Sequence, residues 1–465
     1  MLEQDQRLSR SVLWQLMRTF YAGQGLDAWR SEDPVPSYVT SSPKVAHAYA
    51  AIIAAYLRDV DASGDFDQQE PVYIVELGAG HGRLGYRVAR RLLQLAGGAA
   101  IGRIRWAYVL TDLSAPNVAS WEAQPRFVPL AEAGVLDFAR FDIGNDETLA
   151  LIRSGRVLAP GALANPVVAV ANYIFDSVPH DAFSVRDGAL FERKVVLATT
   201  HPEPDLSDPA VIERIEISFA DRQVDLGYDD EPEWNAMLAG YRDRLTDATF
   251  LFPVGALGCV RWLERLSDGR ALVLAGDKGW ARDDLFPAAS APIDLAVHAG
   301  AFSVMVNFDA IARYVADRKG AALLPKRDAT SLVVAAFLLG DDFGGHQHTR
   351  RAYAEAIDRF GPDDFYALMR RLAGRWATMT ADEVVAMLQL ADGDDVVLAS
   401  CLPVLLDTAE TLTDEQRRQL RNIVLDTWDG FVPIGEDADH AAEFGALLTK
   451  LGYVEDAVAL IESAG

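Results

Sequence analysis

The chain has 465 residues, half of them apolar, which is enough for more than one packed core. Its 43 Lys and Arg against 68 Asp and Glu give a formal net charge of −25. That charge argues against nucleic acid or an anionic membrane as partner and suits a basic protein or peptide. Cys259 and Cys401 stand far apart and no Cys/His cluster exists, so neither a disulfide framework nor a metal site is expected. The first residues lack a signal-peptide pattern and no apolar run reaches spanning length, so a cytoplasmic location is expected.

In chain order, residues 9–30 carry the spacing of an amphipathic helix, with Trp14, Met17, Phe20 and Tyr21 among its apolar positions. A Pro/Ser-rich loop with Pro34, Pro36, Ser41, Ser42 and Pro43 follows, then a helix over 45–57 and a polar linker over 59–71. Strands are expected at 72–75, 104–110, 136–141 and 167–171, with a helix over 84–95. Alternating strands and helices imply a mostly parallel sheet, so the fold class is α/β. The rhythm breaks over 183–230, where Asp187-Gly188 between strand-like flanks signals a hairpin, so this stretch reads as a β insertion. The sheet is expected to resume at 271–275, with later strands at 301–306 and 331–337 around a helix over 308–318. Residues 341–348 read as a linker, and 341–465 as an all-α domain of helical hairpins, with 443–460 like one tetratricopeptide unit. The domains are therefore 1–340, with 1–70 as a helical cap, and 341–465. Leu402, Leu405, Leu406 and Ala409 are expected in the core of the second.

The most informative stretch is Val72-Tyr-Ile-Val-Glu-Leu-Gly-Ala-Gly-His-Gly-Arg83. An apolar strand, an acid, the glycines Gly78, Gly80 and Gly82, and a helix start form the place where α/β folds hold nucleotide-like ligands. Gly80-His-Gly-Arg-Leu-Gly85 also satisfies the dinucleotide pattern, which keeps an NAD-dependent oxidoreductase open. Three strand-end acids favour S-adenosylmethionine instead. Glu76 would orient its ammonium, Asp112 would accept from the ribose hydroxyls, and Asp142 would accept from the adenine amino group. His81 beside the loop reads as a contact or surface residue rather than a catalyst. At the fourth strand, Asn172 and Asp176 stand one turn apart, where Asn172 would orient a nucleophile and Asp176 would bind a cationic substrate or accept a proton. Asp277 and His180 stand behind them as further candidates.

Together, Tyr38-Val-Thr-Ser-Ser-Pro43, Glu76-Leu-Gly-Ala-Gly-His-Gly-Arg-Leu84, Asn172-Tyr-Ile-Phe-Asp-Ser-Val-Pro179, Gly276-Asp-Lys-Gly279 and Ser303-Val-Met-Val-Asn-Phe308 resemble the MidA-like methyltransferases. That family includes the mitochondrial complex I assembly factor that methylates an arginine. The resemblance runs from about residue 15 to about 337, and Trp428-Asp-Gly-Phe-Val-Pro-Ile-Gly-Glu436 is similar to a tetratricopeptide-like extension of a bacterial branch. It implies a class I methyltransferase with a Rossmann-like sheet, S-adenosylmethionine as cofactor at Glu76, Gly78, Gly80, Gly82, Asp112, Asp142 and Asn172, and transfer to a nitrogen of a protein or peptide side chain. Where the family reads Asn-Glu-Phe-Phe-Asp-Ala-Leu-Pro, Tyr173 replaces the glutamate that would pair with a guanidinium, and Lys278 and Asp181 also depart from the pattern. The acceptor half is thus expected to differ more than the cofactor half. An assembly factor that binds the cofactor with little turnover is the alternative.

Overall fold

Strands with no polar face need cover on both sides, and the largest sheet has it. The computed structural model describes residues 2–26, 38–97, 101, 103–199, 205, 208–225, 227–298, 300–328, 331–340, 345–372, 374–435 and 439–464. Its seven-stranded sheet runs in the order Leu136–Arg140, Trp106–Asp112, Val72–Leu77, Val167–Asn172, Ala271–Asp277, Val333–Leu339, Ala321–Leu323. Val333–Leu339 is antiparallel to both its neighbours, and the other six strands share one direction. Val72–Leu77 and Val167–Asn172 are buried along almost their whole length. Alternate residues feed opposite cores, Val75, Ala169 and Val273 on one face and Ile74, Val168 and Leu272 on the other. Strand order reverses between Val72–Leu77 and Val167–Asn172, and open α/β sheets bind ligands at the carboxyl ends beside such a switch point.

The expected helix over 45–57 is longer, Pro43–Ser63. Pro43 opens it, the Ser42 hydroxyl accepts from the Val45 N–H at 3.3 Å, and Gly64 ends it in the left-handed region. Ser41 and Pro43 are therefore not loop, because Tyr38–Ser41 is itself a helical turn and Ser42 is the single extended residue between the two helices; Pro34 and Pro36 lie outside the described residues. Of the expected 59–71 linker, residues 59–63 belong to the helix Pro43–Ser63, and 64–71 form the connection to the strand Val72–Leu77. Asp59 is polar because its carboxylate accepts from the Thr349 N–H and hydroxyl at 2.8 and 2.7 Å, at the start of the helix Gln347–Tyr353. The N-terminal helix spans Val12–Gln24, with residues 27–30 of the expected range outside the described residues. The 1–70 cap is not wholly helical. Glu3–Gln6 is a strand, and the Glu3 carboxylate accepts from the Val12 N–H at 2.8 Å and the Ser11 hydroxyl at 2.6 Å, holding the helix start.

The expected hairpin forms as Asp181–Arg186 and Ala189–Thr199, with Asp187 and Gly188 both at positive φ. Ile215–Gln223 joins its sheet within the expected insertion, and the sheet exceeds the 183–230 bounds because Glu3–Gln6 and Asp247–Phe252 also belong to it. The apolar run at 301–306 does not join the central sheet. Ala301–Val304 forms a hairpin with Leu295–His298, and Phe302 packs on Trp14 because that run covers the N-terminal helix. The sheet's edge strand is Ala321–Leu323 instead, only three residues long.

From Gln347 onward the described residues form helices, including Pro362–Leu372, Ala381–Leu390, Asp395–Thr408, Asp414–Gly430, His440–Lys450 and Val454–Glu462. Two begin in capping boxes, Thr380 with Glu383 and Thr413 with Gln416. Leu402, Leu405 and Ala409 are buried in their shared core with Leu398 and Phe444, and Leu406 packs half-buried against it. The last two helices make a hairpin through Gly452 at φ +92°. No described helix is long and apolar enough to cross a membrane.

Candidate functional site

At the carboxyl ends of the sheet strands lies a cavity of about 820 Å³, within the range common for small-molecule sites. Glu76, Gly78, Gly80, Asp112, Asp142 and Asn172 all line it. The N-terminal helix covers it with Trp14, Met17 and Tyr21, residues three or four apart and so on one helical face. His81 lines it too. Burial, reinforced by Arg83 and Arg87, holds this imidazole well below its usual pKa, and its Nδ1 accepts from the Arg83 N–H at 3.2 Å.

The glycine turn is shaped by close approach. Gly78 has φ +63°, and a Cβ there would lie 2.6 Å from Ile174 Cδ1. Gly82, expected in the ligand site, is not in the cavity wall. It stands at φ +77° as the N-cap of Arg83–Ala96, with a Cβ position 2.9 Å from Phe127 and 3.1 Å from Trp121 Nε1, so its role is packing. The Trp121 indole N–H donates to the Gly80 carbonyl at 3.0 Å, and the Gly80 N–H donates to Asp112 Oδ2 at 2.9 Å. Asp112 Oδ1 accepts from the Ser114 N–H at 2.8 Å. Asp112 thereby ties the second strand end to the glycine turn, and burial raises its pKa against those hydrogen bonds.

Glu76 is buried within the first strand. The Tyr108 hydroxyl donates to its Oε2 at 3.0 Å. Burial pushes the carboxyl up to about 8, the Tyr108 bond lowers it, and the Asp112 charge raises it. Gly85 makes room for it, because a Cβ there would lie 2.3 Å from both Glu76 Oε2 and Leu110 Cδ2. Asp142 is more open. It pairs with Arg18 of the N-terminal helix and accepts from Asn145 Nδ2 at 3.1 Å.

The fourth strand ends in Asn172, whose Oδ1 accepts from the Tyr49 hydroxyl at 2.9 Å. The next residue, Tyr173, lies at φ +54°, a left-handed conformation costly for an aromatic side chain, and its N–H donates to the Gly276 carbonyl at 2.7 Å. Tyr173 lines the cavity where the family pattern has its glutamate.

Asp176 departs from expectation: it is buried and is not among the lining residues. The 3₁₀ turn Phe175–Ser177 rotates it inward, and it is Ser177 that lines the cavity while its hydroxyl donates to Asp176 Oδ1 at 2.8 Å. Asp277, fully buried at the fifth strand end, accepts from the Phe175 N–H at 3.1 Å, and its Oδ1 has no hydrogen-bond partner. Burial raises both acids above the usual aspartate range, and the Asp176 charge raises Asp277 further. His180 is equally buried, with Nε2 2.7 Å from the Phe175 carbonyl; burial lowers it to about 4 and it braces the turn. Asp181 lines the cavity from the second sheet and accepts from the Ser9 N–H at 2.9 Å and the Tyr228 hydroxyl at 2.7 Å. Sequence reasoning missed Tyr49, Arg18, Ser177 and Tyr228; Trp14, Met17 and Tyr21, placed in the N-terminal helix pattern, carried a local signal.

No protein-family model matches the chain, and no curated protein matches it. Among solved structures, an uncharacterized protein from Burkholderia thailandensis is 17% identical with a TM-score of 0.45, over 76% of this chain and 91% of its own. A second protein from that organism, bound to S-adenosyl-homocysteine, is 17% identical with a TM-score of 0.43, over 77% of this chain and 85% of its own. The CMeT domain of the citrinin polyketide synthase is 10% identical with a TM-score of 0.28, over 58% of this chain and 46% of its own. The functional reading therefore rests on the chain's own residues and topology.

Proposed function

We propose that the chain is a class I S-adenosylmethionine-dependent methyltransferase with a Rossmann-like sheet, acting on a nitrogen of a protein or peptide side chain. One observation carries the reading. Glu76, Asp112 and Asp142, at or just beyond the ends of three adjacent strands, line one cavity with the glycine turn beside the switch point. The single reversed strand next to the sheet edge supports the same class.

The donor set suits the cofactor. Glu76 would take its ammonium, Asp112 the ribose hydroxyls, and Asp142 the adenine amino group, each an acceptor for a donor the ligand must satisfy. When bound, the cofactor supplies a methyl group already activated on a sulfonium. The protein's part is alignment, dryness and proton removal. The Val12–Gln24 helix closes the cavity against water. Asn172, fixed by Tyr49, would orient the acceptor nitrogen. Ser177 would pass the acceptor's proton toward Asp176. Asp229, Asp230 and Glu231 line the same cavity and favour a basic peptide.

A second reading, cofactor binding with little turnover as in an assembly factor, is favoured by Tyr173 on the acceptor side and by Asp176 lying off the wall. Titration calorimetry with S-adenosylhomocysteine and with NADH, repeated in Gly80→Val, tests the proposal. Binding of the sulfur ligand alone, lost in the variant, supports it. Binding of NADH alone would establish the dinucleotide reading instead. Methyl transfer to basic peptides from labelled cofactor then separates enzyme from scaffold.

A further inference from the structure

The helices after residue 347 carry a natural expectation of substrate recognition or inert packing. Their contacts with the rest of the chain point elsewhere. The guanidinium of Arg87, on the helix that follows the glycine turn, reaches three separate segments at once. Its Nη2 meets Asp395 Oδ1 at 2.5 Å, its Nη1 donates to the Ser41 carbonyl at 2.5 Å, and its Nε donates to the Gly430 carbonyl at 3.1 Å. Both partners of the ion pair are more than nine-tenths buried. Asp395 is held below the usual aspartate range despite its burial, because Arg87 and Arg83 face it.

The neighbouring residues repeat the pattern. Arg83, first in the same helix, donates from Nε to the Val432 carbonyl at 2.7 Å and lies over the Phe431 ring. The Tyr86 hydroxyl donates to the Asp429 carbonyl at 3.1 Å. On the other flank, the Tyr366 hydroxyl donates to the Val39 carbonyl at 2.7 Å and also bonds Ser42. The two elements held this way are the glycine-turn helix and the 38–42 turn, and both reach the cavity, through Gly80 and His81 on one side and Ser41 on the other. Arg87 itself does not line the cavity.

We infer that the C-terminal helices are a working part of the cofactor site, and that Arg87, paired with Asp395, is the positioning residue that sets the glycine turn against the 38–42 turn. The inference rests on the cofactor reading above and adds how the site is held. Three donors in a planar fork fix three segments in one geometry, which a lysine cannot reproduce. Any partner that shifts the loops at 392–395 or 429–433 would change cofactor affinity without touching the cavity.

The test compares Arg87→Lys and Asp395→Asn with Leu448→Ala, a core truncation about two turns along the helix His440–Lys450 from His440, the residue that packs on Phe431. Each full-length protein is titrated with S-adenosylhomocysteine at a temperature where circular dichroism shows it folded, and amide exchange is followed without ligand. The expected result is binding weakened at least about tenfold in Arg87→Lys and Asp395→Asn and unchanged in Leu448→Ala. Faster exchange should be confined to 38–42 and 78–87. Wild-type affinity in both pair variants, or equal weakening in Leu448→Ala, would overturn the inference. If the wild type itself fails to bind, the cofactor reading falls. Exchange then still judges the linkage: faster exchange at 38–42 and 78–87 in Asp395→Asn upholds it, and unchanged exchange there overturns it. Should Arg87→Lys not fold, Asp395→Asn carries the comparison alone.

Discussion

Tyr49 donates to Asn172 across a gap that exists only because residue 276 is glycine. A Cβ on Gly276 would lie 2.3 Å from the Tyr49 hydroxyl and 2.6 Å from Asn172 Oδ1. Gly276→Ala should therefore push the two apart, at a cost of about 1–3 kcal/mol for overpacking. Tyr49→Phe removes only the hydrogen bond, and about 1 kcal/mol is expected from that loss. Urea unfolding measures both. If the pair also orients the acceptor, Tyr49→Phe lowers kcat more than it raises the cofactor's Kd; a stability loss with unaltered kcat would confine Tyr49 to structure.

Gly85 likewise leaves room for its neighbours, here from inside a helix. A glycine inside a helix normally gains stability on change to alanine, by about 0.5–1 kcal/mol. Here the new methyl would press on Glu76, Leu110 and Tyr108, all parts of the sheet beneath. Overpacking of about 1–3 kcal/mol outweighs the propensity gain. Gly85→Ala is expected to lower stability and weaken S-adenosylhomocysteine binding, while Gly97→Ala, at the far end of the same helix, does neither. Thermal melts and calorimetry on the two variants decide it.

Glu76 makes a statement about pH. Its carboxyl is raised to about 8, so protonation is favoured in the folded chain. Its contribution to stability is complete below the ordinary glutamate value of about 4.3 and is lost as pH rises through about 8. A ligand ammonium reverses the preference, because it binds the carboxylate. Near pH 7, S-adenosylhomocysteine binding should then release close to one proton, and affinity should rise from pH 6 to 7.5. Calorimetry in two buffers of different ionisation enthalpy reads the proton directly. Glu76→Gln should erase the buffer dependence, and its absence from the wild type would remove Glu76 from the ammonium site.

Asp176 and Asp277 bury two acids side by side; burial raises both, the Asp176 charge raises Asp277 further, and Asp277 in turn lowers Asp176. Asp176→Asn keeps the shape and removes the repulsion. The folded state should hold or gain stability at pH 8 relative to wild type. Turnover should still fall by about 10²–10⁴, the usual contribution of a positioned base, with cofactor affinity within about tenfold. Chemical denaturation at pH 6 and 8 and a labelled-methyl assay measure the two halves. Full turnover in the variant would assign the acid pair to structure alone.

What the sequence made legible was local. Strands at 72, 104, 136 and 167 showed as apolar runs, and the acids Glu76, Asp112 and Asp142 showed by following them. The hairpin at Asp187-Gly188 showed because a two-residue turn needs that chemistry. What stayed hidden depended on distant partners. Asp59 looked like linker polarity but caps a helix 290 residues later. Gly82 looked like its two neighbours, yet Phe127 and Trp121 make it a packing position. Asp176 and Ser177 are adjacent in sequence, and only the turn they occupy decides which one meets the cavity. Tyr49, in an alanine-rich helix, had no reason to stand out until Gly276 and Asn172 were brought beside it.

The bonds from Arg83 to Val432 and from Tyr86 to Asp429 have a consequence for how the molecule is made. The glycine turn is complete in sequence by residue 85, but its partners leave the ribosome 343 and 349 residues later. At about 5–20 residues per second, synthesis leaves that helix without them for roughly 20–70 s. Over that interval the nascent chain holds the glycine turn without its brace, so the helix that follows the turn gains these partners only when the late helices arrive.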